Sequence, residues 1–270
     1  MNTRVFGALV APLFLLSSCA KLLDYAKDHP ADVASCCRID SVTTTSLVSP
    51  TPQHYNFLYN TAGLPVEIAA QVPGTFNYQN YYFRYDSHNR LKDYLFTDGG
   101  GATYVYSWDR YTYPAHNIVV DSTYDYQGML SDPNPIYPDN LTSVKTITQD
   151  AQGRNTRIIY WSPYYQDTTY IHYDAQGDVI LPGVGYDNKV NWYQLSPTWQ
   201  LVFNDYSKHN PYAPATLVFP ASITAYDQYG LPTAFKQRAT NATLMVFNSY
   251  ATIDVSYSCD TAKAIKEVGY

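Results

Sequence analysis

The stretch Tyr173-Asp174-Ala175-Gln176-Gly177 decides the fold, because the chain contains six copies of this pattern. An aspartate or asparagine in the second place can accept hydrogen bonds from backbone amides two residues further on. A residue in the left-handed conformation, usually glycine, then closes a type I turn with a bulge. Each copy therefore predicts a tight turn between antiparallel strands. The copies are residues 59–63, 85–89, 124–128, 149–153, 173–177 and 226–230.

The segments that flank most copies alternate apolar and polar residues, which is typical of strands with one buried face. Several copies lie about 25 residues apart, a step that fits two strands and two turns. We predict an all-β fold, an antiparallel β-meander of repeated hairpins with about 14 to 18 strands. It should be strongly curled or barrel-like, because twisted sheets rarely stay open beyond ~10 strands. An open sheet with two faces is the alternative.

The N-terminus has the parts of a bacterial lipoprotein signal. Arg4 supplies positive charge, and the apolar run after it has about a dozen residues, too few for a bilayer core that needs roughly 20. Leu16-Ser17-Ser18-Cys19 then resembles a lipobox, in which a peptidase cuts before the cysteine and its thiol carries the lipid. This resemblance implies a signal peptide at residues 1–18 and lipid attachment at Cys19. An ordinary secretory signal is the alternative.

The lipid anchor implies a place in the cell envelope. Ala20 follows the lipidated cysteine without an acidic neighbour, so we expect attachment to the outer membrane, on its periplasmic face or at the cell surface. The mature chain would then have a lipidated linker at residues 19–37. A single β-meander domain is expected at residues 38–270, with a long insertion at about residues 181–216.

Three cysteines remain beyond the lipid-acceptor cysteine: Cys36, Cys37 and Cys259. The periplasm and the cell surface permit disulfides. Adjacent cysteines rarely bridge each other, so we predict one bond from Cys36 or Cys37 to Cys259, which would tie the first strand to the last. Three free thiols are the alternative.

The net charge and the motifs of the sequence limit the functions that we expect of this chain. The net charge of -6 argues against nucleic acid as a partner, because no basic stripe can neutralise phosphates. The common catalytic and phosphate-binding motifs are absent from the sequence. Turn formation accounts for the aspartates of the repeat, so we predict no catalytic residue, no metal site and no cofactor. These turn aspartates are Asp86, Asp125, Asp150, Asp174 and Asp227.

The insertion is the first candidate for a binding surface. Long loops in compact domains are usually functional or disordered, and its many aromatic residues argue against disorder. Trp and Tyr rings can stack on sugars or peptide side chains, while Asp selects hydroxyls. The alternative is a plug that covers the end of the curled sheet, with its tryptophans as core. The candidate ligand-binding residues are Asp187, Trp192, Tyr193, Trp199, Tyr206 and His209.

A second, weaker candidate is the series Tyr104, Tyr106 and Trp108. Strand alternation would place all three rings on one face of the sheet. Such a row is more often a cross-strand packing ladder than a ligand site.

The Tyr-Asp-x-x-Gly pattern resembles the YD repeats of RHS-type proteins. Together with the lipobox, the segments at residues 186–189 and 204–210 and the closing Tyr-Asp-x-x-Gly-Leu-Pro, it is similar to Bacteroidota lipoproteins grouped as domains of unknown function. For those proteins a porin-like β fold has been proposed. The resemblance implies a fold and supplies no catalytic residue.

The expected function is that of a membrane-tethered, non-enzymatic binding or scaffold lipoprotein of the envelope. Its partners would be the membrane, through the anchor, and a glycan or an envelope protein. The alternative is an envelope carbohydrate hydrolase that uses aspartates of the insertion, Asp187 and Asp205.

Overall fold

The computed structural model describes Ala34 and residues 36–46, 51–71, 79–97, 104–130, 140–212, 221–237 and 250–259. The predicted signal peptide and Cys19 lie outside these residues, as do most of the predicted linker and the last four positions of the predicted insertion.

Fifteen strands lie in the described part of the chain, within the range that the sequence predicts. They are β1 (Cys37–Ser46), β2 (Gln53–Tyr59), β3 (Pro65–Ala70), β4 (Asn80–Tyr85), β5 (Leu91–Thr97), β6 (Tyr104–Ala115), β7 (Ile118–Met129), β8 (Leu141–Gln149), β9 (Asn155–Ser162), β10 (Tyr165–Tyr170), β11 (Gly185–Val190), β12 (His209–Tyr212), β13 (Ala221–Tyr226), β14 (Pro232–Gln237) and β15 (Tyr250–Cys259).

One antiparallel meander of 13 strands dominates the molecule, in the order β10-β9-β8-β7-β6-β5-β4-β3-β2-β1-β15-β14-β13. The first strand pairs with the last, so β15, β14 and β13 extend the sheet beyond β1. The edges are β10 and β13, and no pairing joins them among the described residues. The all-β meander is therefore confirmed. Two further strands, β11 and β12, form a small separate sheet.

Five of the six predicted turns have the expected geometry. At the Asp150 turn, one carboxylate oxygen accepts the backbone N–H groups of Gln152 and Arg154, both at 2.9 Å. Gly153 follows with φ +77, where a side chain would be strained. The same pair of side-chain bonds forms at Asn60, Asp86, Asp174 and Asp227.

The third copy of the repeat is not a turn, so the prediction for Asp125 is wrong. Asp125 lies inside the long strand β7, opposite Ser107 of β6. The connection between these strands is instead made where Ala115 faces Ile118. Pairing continues on both sides of residues 124–128 and takes the backbone groups that a turn would need, so the extra residues form a bulge.

A bulge in β6 separates the aromatic residues of the second candidate site from one another. Tyr104 and Tyr106 are exposed, whereas Trp108 is fully buried beside Val105. Thr97 faces Val105 and Phe96 faces Ser107, so Tyr106 is an extra residue that shifts the alternation of β6. The predicted common face of these three aromatic residues is therefore wrong.

Cys37 and Cys259 form a disulfide between directly paired residues of β1 and β15. This is one of the two pairings that the sequence left open, and Cys36 takes no part in it. The bond closes a loop with a sequence separation of 222 residues.

Loss of this disulfide is expected to destabilise the fold. Cys37→Ser should lower the free energy of unfolding by about 2–5 kcal/mol, because the cross-link restricts a long loop in the unfolded chain. Urea unfolding measures the change, with Cys36→Ser as the matched control that keeps the bond. Equal midpoints for the two variants would contradict the prediction.

Candidate functional site

Four of the confirmed turns lie together at one end of the large sheet. They join β2 to β3, β4 to β5, β8 to β9 and β13 to β14. Alternate connections of an antiparallel meander reach the same edge, and we call this edge the turn end. Residues 171–212 lie against it, and we call this segment the cap. The cap begins about ten residues before the predicted insertion, because β10 ends at Tyr170.

Local sequence explains how the cap folds. Its one α-helix, α1 (Pro197–Phe203), begins after Ser196, whose hydroxyl accepts the Thr198 N–H at 3.2 Å. Pro197 suits the first helical position, where its missing N–H costs nothing. Asn204 ends the helix in the left-handed conformation with φ 53. Before α1, a short 3₁₀ helix spans Trp192–Leu195.

The two tryptophans of the cap belong to the core. Trp199 is 2% exposed and packs edge-on against Phe57 and Phe83, with ring centroids 5.8 and 5.2 Å away. Trp192 is 5% exposed and lies 5.3 Å from Phe235 of β14. The sheet covers the faces of both indole rings. The two tryptophans therefore fit the alternative of a plug better than a surface that stacks on a ligand.

Polar contacts join the rim of the cap to several hairpins. The Tyr85 and Thr198 hydroxyls are 3.0 Å apart, which links α1 to the end of β4. Asn155 at the start of β9 donates to the Asn204 side chain at 3.1 Å. The cap is therefore held in a defined position over the turn end.

A cleft of about 1040 Å³ lies between the cap and the turn end. Its volume is at the upper end of the range for small-molecule sites, roughly 300–1,000 Å³. Side-chain amides and cations provide many of its polar groups. The polar lining includes Arg90, His116, Gln149, Gln152, Arg154, Gln194, Gln200, Tyr206 and Lys208.

Arg90 is held in place by its own turn and by the next hairpin. Its guanidinium pairs with Asp86 at 2.7 Å and lies 4.1 Å from the ring centroid of Tyr113. The Tyr113 hydroxyl donates to the Leu91 carbonyl at 2.7 Å. Burial raises the pKa of Asp86, but hydrogen bonds from the backbone and the side chain of Arg90 together lower this pKa below its ordinary value.

The same arrangement recurs on the other side of the cleft. Arg154 pairs with Asp150 at 2.8 Å and lies 4.2 Å from the ring centroid of Tyr173. The Tyr173 hydroxyl donates to the Asn155 carbonyl at 2.9 Å. Two guanidinium groups with fixed orientations therefore line the cleft.

Lys208 supplies a cation of a different kind. Its stem lies 3.0–3.3 Å from the position that a Cβ would occupy on Gly177, so a side chain there would displace it. Within the described part of the chain, no carboxylate forms an ion pair with Lys208. The ammonium is therefore available to an anionic group of a ligand.

Tyr206 lines the cleft, as a binding role requires, and its hydroxyl accepts from Gln149 at 3.3 Å. Tyr193 instead packs against Phe203, with ring centroids 4.6 Å apart and the ring planes tilted by 31°. His209 does not line the cleft and is instead oriented by the buried Asp178, which accepts its Nδ1–H at 2.7 Å and its backbone N–H at 2.8 Å.

The aspartates of the hydrolase alternative have structural partners. Asp187 accepts the Tyr226 hydroxyl and the Lys189 N–H, the latter at 2.8 Å, and so joins the cap to β13. Asp205 accepts the Ser207 N–H at 2.8 Å, and burial raises its pKa despite this bond.

A second polar cluster, which the sequence analysis missed, contains Asp109, Asp121 and Lys145. Lys145 pairs with Asp121 at 2.8 Å. Burial and the neighbouring Asp121 raise the pKa of Asp109 to about 7. One oxygen of each carboxylate is buried without a hydrogen-bond partner among the described residues. We call these three residues the acid cluster.

Some of the missed residues had a sequence signal. An arginine follows the turn at positions 90 and 154, and this arginine next to a turn aspartate indicates an ion pair. The glutamines of the cleft and the acid cluster had none, because their proximity depends on strand register and on the position of the cap.

Comparisons with known proteins show no family for this chain. No family model matches the chain, and no curated protein matches it. Among solved structures, a porin-like protein from Bacteroides uniformis is similar over 82% of this chain and 96% of its own, with 11% identity and a TM-score of 0.29. TcdB2-TccC3-TEV is similar over 75% of this chain and 11% of its own, with 15% identity and a TM-score of 0.22.

Two further properties concern the described residues alone. They contain no group of three or more histidine, cysteine, aspartate or glutamate side chains that could hold a metal ion. No helix among them is long and apolar enough to cross a membrane.

Proposed function

We propose that this chain is a lipid-tethered, non-enzymatic envelope protein that binds an acidic glycan in the cleft between cap and turn end. The cleft carries the proposal, because it combines a ligand-sized volume with oriented polar groups. Two arginines line the cleft, each held between a turn aspartate and a tyrosine ring. Together with the ammonium of Lys208 and several side-chain amides, they can bind carboxylates and hydroxyls. An envelope protein segment with acidic side chains is the second ligand class that this chemistry suits.

The anchor in this proposal rests on the sequence. The lipobox-like segment that ends at Cys19 would attach the mature chain to the outer membrane, on its periplasmic face or at the cell surface. The β-meander would then serve as a rigid scaffold that presents the cleft.

We also propose that the sheet is strongly curled around the cap. Trp192 contacts Phe235 of β14, and Tyr206 contacts Gln149 of β8. Nine inter-strand steps separate β14 from β8, or about 43 Å in a flat sheet. The short cap segment between Trp192 and Tyr206 contains two helices and spans less than this. A curled sheet brings both strands to it.

Loss of the Lys208 ammonium is the sharpest test of the cleft. Lys208→Met should weaken binding of an acidic polysaccharide about tenfold, because it removes a charge-assisted hydrogen bond worth about 1.5 kcal/mol. The unfolding midpoint of this variant should not change, since no carboxylate in the described part of the chain pairs with this lysine. Titration calorimetry with uronic-acid polysaccharides and neutral glucans measures the binding.

Lys236→Met is the matched control, because Lys236 is an exposed lysine of β14 outside the cleft. Failure of every acidic and neutral glycan to bind would reject the proposed glycan function. Turnover of a polysaccharide that disappears in Asp187→Ala or Asp205→Ala would favour the hydrolase alternative.

A further inference from the structure

Among the described residues, no element covers the edge strand β10 of the large sheet. All six residues, Tyr165–Tyr170, are exposed, and their register with β9 is regular throughout. Natural proteins usually protect such edges with bulges, lysines, prolines or a covering segment. The other edge has these features: β13 has two register shifts, and its Tyr226 donates to Asp187 of the cap. Of the two edges of the large sheet, β10 is therefore the one that the described residues leave open to strand addition.

The hydrogen-bond pattern shows which groups are available at this edge. The Ile171 N–H donates to the Thr156 carbonyl at 2.8 Å, so residue 171 directs its backbone groups toward β9. Antiparallel ladders alternate from residue to residue. Gln166, Thr168 and Tyr170 therefore direct their N–H and C=O groups away from β9, to the open side.

We propose that β10 pairs with β10 of a second copy of this chain, antiparallel and with the two-fold axis at Thr168. Outward-facing residues must pair with outward-facing residues, so Thr168 faces Thr168 of the second copy and Gln166 faces its Tyr170. The pairing forms about six backbone hydrogen bonds. Threonines in opposed positions also pair well across strands.

Charge and strand length select this register. A shift by one pleat in one direction places Asp167 opposite Asp167 of the second copy, where like charges repel. The opposite shift moves Gln166 beyond the end of the partner strand and loses hydrogen bonds. In the proposed register, Asp167 faces a neutral threonine, Thr169.

Exposed aromatic residues around β10 add apolar area to this interface. Tyr170 is 65% exposed and Trp161 of β9 is 42% exposed. Trp161 pairs with Gln166, and Gln166 faces Tyr170 of the second copy, so the three side chains lie in one row across three strands. Packing of the two rings over Gln166 would remove apolar surface from water.

Cysteine cross-linking tests the pairing in the full-length chain in the bacterial envelope. Opposed residues of a hydrogen-bonded pair have Cα atoms about 5.5 Å apart, within the disulfide range. In a Cys36→Ser background, Thr168→Cys should give a dimer with a 168–168 disulfide on oxidation. Thr169→Cys is the matched control, since the two copies of this residue lie more than about 7 Å apart in this register.

Charge exchange provides an independent measurement. Sedimentation velocity of the purified chain should show a dimer for the wild type and monomers for Thr168→Lys and Thr168→Asp. An equimolar mixture of the two variants should restore the dimer, because opposite charges then meet at the axis. A monomeric wild type, or cross-linking of the introduced cysteine to a different protein or to nothing, would overturn the proposal.

Discussion

Replacement of Trp199 by alanine is expected to lower the free energy of unfolding by about 3–5 kcal/mol. The indole is 2% exposed and packs against Phe57 and Phe83, so its removal leaves a cavity between α1 and the sheet. The loss includes both the transfer of apolar surface and the cavity that rigid neighbours cannot fill. Urea unfolding followed by circular dichroism measures the change.

Tyr104→Ala is the matched control, because this tyrosine is 53% exposed at the surface of β6, four strands away from the proposed β10 interface. Its removal should change the unfolding free energy by less than about 1 kcal/mol. Similar losses for the two variants would mean that the cap contributes little to the core, and would contradict the packing described for Trp199.

Replacement of Lys145 by methionine is expected to cost about 3–5 kcal/mol above neutral pH. The ammonium pairs with the nearly buried Asp121 at 2.8 Å, and its charge also opposes the raised pKa of Asp109. Methionine keeps most of the volume of the stem. The loss therefore reports two carboxylates left in the protein without their only counter-charge in the acid cluster.

The stability lost in Lys145→Met should depend on pH in a defined direction. The pKa of Asp109 in the folded protein is about 7, above its ordinary value of 3.8, so the folded state binds the proton more tightly. The contribution of Asp109 to stability is therefore greatest at acid pH and is lost as the pH rises through about 7. Without Lys145 the carboxylate pKa values rise further, and the variant should recover part of its stability at about pH 5 compared with about pH 8.

Lys92→Met, at an exposed lysine of β5, is the control for the loss of a positive charge. Its stability should follow the wild type at both pH values. If Lys145→Met were equally destabilised at both, the effect would come from packing alone, and the electrostatic account of the acid cluster would fail.

The repeat shows how far local sequence reaches. The turns at Asp86, Asp150, Asp174 and Asp227 form as predicted, because every group that a turn needs lies within five residues. The copy at Asp125 has the same pattern, yet it lies inside a strand. The pairing of β6 with β7 offers more hydrogen bonds than a local turn. The five residues of the repeat contain no sign that strand pairing competes with the turn.

The candidate site was less predictable than the fold. The segment that the sequence singles out as an insertion overlaps the cap, and its Tyr206 lines the cleft. The tryptophans point into the core because β2, β4 and β14 offer them aromatic neighbours. The orientation of Arg90 and Arg154 depends on tyrosines about 20 residues further along the chain, and only the pairing of neighbouring hairpins brings these tyrosines within reach.

The sequence by itself determined the turns, the antiparallel class and the candidate cysteines of the disulfide, because aspartate, glycine and strand alternation act over a few residues. Tertiary structure alone decided the bulges in β6 and β7, the choice of Cys37 over Cys36, the cleft and the acid cluster. Each of these depends on which residues of distant strands face one another. A shift of one residue in strand register moves every side chain to the opposite face of the sheet. The register therefore had to be known before the site could be predicted.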